Sequence, residues 1–403
     1  MIINFTVGNY HSFKDKKVLS MEATAIKELN ESIIKRDGYK LLPSAVIYGA
    51  NSSGKSNLLK AIGKFTEIIS TSSKLNSTDK LNITPFLLNP HTAQTPSYFE
   101  IELLIDKQIY TYGFTADNQK VYEEWLYVKQ GKNQKEICLF GRVEEGIGIG
   151  DEYSEGAGLE EKVRDNGLFL STVDSFNGEI AGNIISSINS IAIISGINHE
   201  SLSTFTNKLC TGATFSLEFQ QKVQDFLYSM NVGFSRFEIP KDKKLAEEIK
   251  AYTIHHLYNN EGEVIGETRF SMKEHESSGT NKLFDLAALV IGQLDFGYPL
   301  IVDELDSKLH PLLTQHIIKL FNNPATNPKG AQLIFATHDT NLLNVKTFRR
   351  DQIWFTEKDH SEATDLYSLA EFREPEGNKI RKDRSFEKDY INGRYGAIPY
   401  IKD

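Results

Sequence analysis

The sequence predicts an α/β protein with a mixed β-sheet, an antiparallel β subdomain beside it and a mainly helical subdomain inserted within it. Three observations predict that class. Residues 45–48 form an apolar run that passes directly into Gly49-Ala50-Asn51-Ser52-Ser53-Gly54-Lys55-Ser56, after which Leu58, Leu59, Ala61, Ile62 and Phe65 recur at helical spacing. A second apolar run, Leu300-Ile301-Val302, ends in Asp303-Glu304, and a third, residues 333–336, ends in Thr337-His338-Asp339. Strands apolar on both faces belong to buried parallel sheets, whose ligands gather at the carboxyl ends of the strands. The first two runs stand roughly 250 residues apart, too far for one compact unit, so something is inserted between them.

The elements follow in order. Residues 2–7 and 17–21 read as strands separated by the turn-prone Ser12-Phe13-Lys14-Asp15, and residues 70–80 as a Ser/Thr/Lys-rich connection. Residues 97–105, 109–114 and 121–129 read as an antiparallel sheet with turns at Asp106-Lys107 and Asp117-Asn118. Residues 143–165, acidic and Gly-rich, read as a mobile linker. The stretch Gly146-Ile147-Gly148-Ile149-Gly150 within it lacks a preceding buried strand and a following helix, so it reads as a flexible turn and not a dinucleotide loop. The pattern then turns helical to Met230, with Phe219, Val223, Phe226 and Leu227 on one apolar face. Residues 252–258 and 263–271 form a hairpin across Asn259-Asn260-Glu261-Gly262. His255 and His256 alternate across that strand and so cannot face one ion. This reading divides the chain into an N-terminal half-head (1–142), an inserted mainly helical subdomain (143–245) and a C-terminal half-head (246–403).

Bulk properties narrow the function. In 403 residues, 40% are hydrophobic and 25% charged, as in ordinary globular proteins. A net charge of −9 argues against a uniformly basic nucleic-acid binder, although lysines cluster at Lys14, Lys16 and Lys17 and at Lys241, Lys243 and Lys244. Cys138 and Cys210 have no metal-ligand spacing and imply no disulfide framework. No apolar run approaches the ~18 residues of a membrane span and no leader pattern opens the chain, so a cytoplasmic protein without a membrane partner is expected.

The three strand ends carry the chemistry. Gly49 and Gly54 permit a tight curl in which the backbone N–H groups of Asn51, Ser52, Ser53, Gly54, Lys55 and Ser56 converge on an anion at a helix start, a phosphate-binding loop. Lys55 would reach the β- and γ-phosphates, and the Ser56 hydroxyl would ligate Mg²⁺. Asp303 would hold that ion through its water shell, while Glu304 orients or deprotonates the attacking water. His338 is placed to sense a γ-phosphate. Upstream, Ser277-Ser278-Gly279-Thr280 opens a helix whose apolar face carries Leu283, Leu286, Ala287, Val290 and Ile291. There Ser278 and Gly279 would offer a hydroxyl and N–H groups as a second anion site, the alternative being an ordinary Ser or Thr cap.

Together these motifs resemble the ABC-type P-loop ATPase heads of the SMC, RecF and OLD group. They most resemble the AAA-family ATPases of bacterial abortive-infection and anti-phage systems of the RloA/AbiL type, related to the ATPase half of PARIS. The resemblance runs from Asn9-Tyr10-His11-Ser12-Phe13 through Gly49 to Ser56, Ser277 to Thr280, Asp303-Glu304-Leu305-Asp306-Ser307, Leu309-His310-Pro311 and Thr337-His338-Asp339. It continues through Arg350-Asp351-Gln352-Ile353-Trp354-Phe355 to Gly393-Arg394-Tyr395-Gly396-Ala397-Ile398-Pro399. It departs where Thr280 replaces a second signature glycine and where no Q-loop glutamine is evident near Pro85-Phe86.

The resemblance implies ATP and Mg²⁺ as cofactors, ATP hydrolysis, and a homodimer or higher homo-oligomer with composite sites. In such a site, ATP on one protomer is capped by Ser278 and Gly279 of the other, with Asp306 at the interface. The implied role is a sensor and scaffold in anti-phage defence that controls a separately encoded effector such as a nuclease, with DNA or a phage protein as further partners. A RecF-like DNA-binding repair ATPase and an OLD-like nuclease with an unrecognised catalytic site are the alternatives. About 65 residues follow His338, fewer than the ~100–150 of an independent domain, so no appended nuclease is expected.

Overall fold

The computed structural model describes residues 1–132, 134–196, 206, 217–240, 251–373, 380 and 384–399. The N-terminal strands β1 (Ile2–Gly8) and β2 (Lys17–Ser20) pair antiparallel, and a small hairpin, β3 (Ile34–Arg36) with β4 (Tyr39–Leu41), follows them. Next come β5 (Ser44–Tyr48) and helix α1 (Lys55–Thr71). A meander then forms from β6 (Ser97–Ile105), β7 (Gln108–Ala116), β8 (Val121–Lys129), β9 (Ile137–Val143) and β10 (Gly146–Ile149). With β1 and β2 it makes a seven-stranded antiparallel sheet in the order β10-β9-β8-β7-β6-β1-β2. Alternation decides its faces: Phe99, Ile101 and Leu103 of β6 are buried, whereas Tyr98, Glu100 and Glu102 between them are half-buried.

The second sheet holds the site. Its strands are β11 (Ala192–Ser195), β15 (Leu300–Asp303), β16 (Leu333–Ala336), β5, β17 (Ile353–Lys358) and β18 (Thr364–Ser368), in that order. All but β18 run parallel, so the sheet is mixed, as predicted. Its central strands β15, β16 and β5 are buried on both faces. Ala45, Ile47, Ile301, Ile334 and Ala336 face a core shared with α1 and the antiparallel sheet. Val46, Tyr48, Leu300, Val302, Leu333 and Phe335 face a second core shared with α4 (Leu217–Ser229), α5 (Ser278–Phe296) and α6 (Pro311–Asn322). Within the first core Phe65 of α1 stacks on Phe114 of β7, with centroids 5.5 Å apart. Truncating Phe65 to alanine would cost about 3–5 kcal/mol.

Several expectations are corrected. Residues 146–149 form no flexible turn in a linker: they are strand β10, paired with β9, and the segment after them anchors through the fully buried Tyr153 beside Phe140 and Phe169. Glycine spacing hid the strand because only Ile147 and Ile149 contribute side chains. The middle segment is not helical throughout. Helices α2 (Phe169–Ser175) and α3 (Glu179–Asn189) lead into β11, which joins the central sheet beside β15. The hairpin of β13 (Tyr252–Tyr258) and β14 (Val264–Ser271) gains a third strand, β12 (Arg236–Glu238).

His255 bonds Glu276 at 2.8 Å. Lys17 pairs with Asp365 and Lys16 sits over the Tyr98 ring, while Lys241, Lys243, Lys244 and Cys210 lie outside the described residues. The tail docks: helix α7 (Phe386–Ile391) and Tyr395 pack on Phe355 of β17. No helix among the described residues is long and apolar enough to cross a membrane.

Candidate nucleotide site

Parallel strands bring the chemistry to one edge. β5, β16 and β15 are adjacent and parallel, so the residues that follow them, Gly49 to Ser56, Thr337 to Asp339 and Asp303 to Asp306, emerge at the same end of the sheet. The loop after β5 turns through Gly49 at φ 154°, Ser52 at φ 62° and Gly54 at φ 115°. Those left-handed values favour glycine, which explains the glycines at both ends of the loop. Asn51 and Ser52 are exposed at its crest, Ser53 and Lys55 are buried, and Ser56 is half-buried. Gly54 precedes α1 without a side-chain cap, so the helix's first N–H groups remain available to an anion.

The Lys55 ammonium donates to the carbonyls of Gly49 at 2.8 Å and Ala50 at 3.0 Å, folded back over its own loop. Burial lowers its pKa, while the charges of Asp303, Glu304 and Asp306 oppose that shift. Asp303 and Glu304, predicted from the second apolar run, and Asp306, implied by the resemblance, therefore act on the lysine that follows the first. Asp303 Oδ1 and Asp306 Oδ1 are buried and have no hydrogen-bond partner among the described residues. Orphaned buried carboxylate oxygens are costly, and a hard divalent cation is the group that satisfies them. Asp303, with the Ser56 hydroxyl, thus fits Mg²⁺.

The remaining predicted residues fall in two places. His338 is exposed at the same edge, on the loop after β16, whose Asp339 carbonyl accepts from the Tyr48 hydroxyl at 3.0 Å. Ser278 and Gly279 head α5, but its cap is Ser277, whose hydroxyl accepts from the Thr280 N–H at 3.1 Å. That leaves the exposed Ser278 hydroxyl outside the cap. The helix start packs against the turn after β15, where a Cβ on Gly279 would come within 2.9 Å of the Lys308 carbonyl.

Two residues that sequence reasoning missed hold that turn. Lys282 is fully buried and its ammonium donates to the carbonyls of Glu304 at 3.3 Å, Leu305 at 3.1 Å and Ser307 at 2.5 Å. Burial, partly offset by Asp306 and Glu304, brings its pKa down to about 8. Gly196, just past β11, donates its N–H to the Asp303 carbonyl at 2.6 Å, and a Cβ there would overlap the Glu304 carbonyl. Glu304 itself sits at φ 56°, a strained value for a non-glycine residue that surrounding contacts must hold. A lysine directly before the apolar run of the helix, Leu283-Phe284, was the available signal for Lys282. Nothing local marked Gly196.

No curated protein matches the chain. Among solved structures, it is similar to the SMC head domain from Thermotoga maritima, with 14% identity over 91% of this chain and 98% of that one and a TM-score of 0.43. It is also similar to an SmcHead bound to the C-winged helix domain of ScpA, with 12% identity over 91% and 97% and a TM-score of 0.47. Residues 44–344, well over half of the chain and spanning every strand end described above, match the family described as "AAA domain, putative AbiEii toxin, Type IV TA system". With its phosphate loop and acidic strand end on one sheet edge, the chain belongs to that family of AAA domains.

Proposed function

We propose that this chain binds and hydrolyses ATP with Mg²⁺ and uses the cycle to switch between open and closed pairs of protomers. The observation that supports it most is the convergence of Lys55 with Asp303, Glu304 and Asp306, two of whose buried oxygens lack a partner. In this reading Gly49 permits the turn, the N–H groups of Asn51, Ser52, Ser53, Gly54, Lys55 and Ser56 cradle the phosphates, and Lys55 leaves the Gly49 and Ala50 carbonyls to meet them. Ser56 and Asp303 hold Mg²⁺, which supplies neutralisation of the phosphate charge. Glu304 accepts a proton from the attacking water, and His338 contacts the terminal phosphate.

Ser278 and Gly279 make no described hydrogen bond to the phosphate loop of their own chain, which supports their acting on the nucleotide of a second protomer, with Asp306 between the two. ATP then favours closure because only the closed state contacts its γ-phosphate from both sides. The family description, naming a putative AbiEii toxin and a Type IV TA system, supports a defence role, which we place in the cytoplasm. There the switch would control a separately encoded effector such as a nuclease in response to DNA or a phage protein.

Glu304→Gln tests the core of this reading. It should slow ATP turnover by about 10²–10⁴-fold, the usual range for losing a general base, while leaving nucleotide binding intact and enriching dimers on a sizing column. Unchanged turnover would remove Glu304 from its role. Mixing Lys55→Ala with Ser278→Arg protomers should restore part of the activity if sites are shared; a mixture as inactive as its components would refute the shared site.

A further inference from the structure

The C-terminal hairpin reaches the phosphate loop through a chain of hydroxyl groups that the proposed function does not use. β18 begins at Thr364, antiparallel to β17, and so lies at the same sheet edge as the loop. The Thr364 hydroxyl donates to the Ser53 carbonyl at 2.9 Å and lies 2.7 Å from the Ser12 hydroxyl. The Asn57 amide donates to that Ser12 oxygen at 2.8 Å, and the Thr364 N–H donates to the Ser12 carbonyl at 2.7 Å. A hydroxyl has one proton. The Thr364 hydroxyl therefore shares its one proton between the Ser12 oxygen, which the Asn57 amide also reaches, and the Ser53 carbonyl, the end of this hydroxyl relay at the loop.

The end of that relay matters for the loop's chemistry. The Ser53–Gly54 peptide is planar and trans, so fixing its carbonyl toward Thr364 turns the Gly54 N–H the opposite way. A carbonyl that accepts a hydrogen bond also makes the N–H of its own peptide a stronger donor. Thr364 packs so closely that a Cβ on Gly54 would overlap its side chain, so the glycine is required by contact as well as by φ. Thr356 of β17 repeats the device at the other end of the loop. Its hydroxyl is 2.6 Å from that of Ser53, and a Cβ on Gly49 would meet the Thr356 carbonyl at 2.5 Å.

We infer that Thr364, braced by Ser12, is a positioning residue for nucleotide binding, which aims and polarises the Gly54 N–H toward the bound phosphate. The inference rests on the proposed ATP site and deepens it. It makes the hairpin β17–β18 the outer wall of the phosphate loop, so that displacing the hairpin would release nucleotide.

The test measures Mg·ATP and Mg·ADP affinity by calorimetry for the full chain and for Thr364→Val, Thr364→Ser and Ser12→Ala, with unfolding midpoints recorded without nucleotide. Thr364→Val keeps the volume and loses the proton; affinity for both nucleotides should fall about five- to tenfold, the worth of one net hydrogen bond. Thr364→Ser should restore affinity to within about twofold, and Ser12→Ala, which leaves the Thr364 proton wholly to the Ser53 carbonyl, should not weaken it by more than about twofold. Steady-state turnover should show the same change in KM with kcat nearly unchanged. If Thr364→Val binds as the wild type does, the inference fails. Should the valine variant not fold, Thr364→Ala, measured in the same way, carries the test, and wild-type affinity in that variant overturns the inference. Failure of the underlying reading is distinct: the wild type itself would then bind neither nucleotide, and Lys55→Ala would change nothing.

Discussion

The phosphate loop is held by neutral hydroxyls from β17 and β18, whereas the carboxylate turn after β15 is held by a buried ammonium and a close-packed glycine. Neutral hydroxyl contacts do not titrate in the working pH range, so the braces of the first half do not depend on pH. A buried lysine with its pKa near 8 can lose its charge, and a strained Glu304 relaxes once its carbonyl is released. Under the proposed function the difference separates tasks: the rigid half would bind, and the adjustable half would govern hydrolysis. Changes in the carboxylate half should therefore move kcat, and changes in the phosphate half should move affinity.

Lys282→Met should give the largest effect. It leaves three carbonyls of the turn without their donor, at a cost of about 1–3 kcal/mol, and frees Glu304 from its position. Turnover should fall by at least about tenfold while ATP affinity measured by calorimetry stays within about twofold. Equal losses in both quantities would erase the distinction between the halves. Gly196→Ala presses a methyl group against the Glu304 carbonyl from the other side, and a core-like overpacking of about 1–3 kcal/mol should again reduce kcat before affinity. Because Gly196 follows β11, this variant also asks whether the middle segment of the chain communicates with the hydrolytic residue.

How much of this was legible beforehand follows from the range of the contacts. Gly49 to Ser56, Asp303-Glu304 and His338 could be read because each is a local pattern, an apolar strand delivering polar residues, and parallel pairing does the rest. The antiparallel meander was equally plain wherever side chains alternate, as in β6, and invisible in β10, where glycine removes the alternation. The braces could not be read. Thr364 meets Ser53 across 311 residues of chain, and Lys282 meets Leu305 across 23, through carbonyl groups that every residue possesses. Gly196 acts by having no side chain, a property with no chemical signature in sequence. The partners of the tail are long-range in the same way: Tyr390 and Tyr395 are ordinary aromatics until β17 offers Phe355.

A smaller effect should appear on raising pH. Burial, the larger cause, makes the folded chain release the Lys282 proton near pH 8, below the 10.5 of an exposed lysine. Between those values the unfolded chain holds more protons, so this group's contribution to stability increases with pH. Turnover should nonetheless decline above pH 8, because the neutral amine has two donors for three carbonyls. Denaturant midpoints that do not drop while kcat does would show lost geometry and not lost fold. Lys282→Arg, which stays protonated, should lack the decline; an identical decline in that variant would assign the titration to another group.

The smallest effect is expected at Tyr390, where the tail touches the phosphate loop. Its hydroxyl donates to the Ala397 carbonyl at 3.1 Å, its oxygen faces the Gly49 N–H, and its ring packs between Tyr48 and Phe355. Tyr390→Phe keeps the ring and removes the hydroxyl, costing about 0.5–1.5 kcal/mol of stability. If the loop is held mainly by Thr356 and Thr364, ATP affinity should change by no more than about twofold, well below the loss in Thr364→Val. A loss as large as that of Thr364→Val would move the support of the phosphate loop from the hydroxyl relay to the C-terminal segment. The tail, instead of the hairpin, would then be the element through which a partner could loosen the nucleotide.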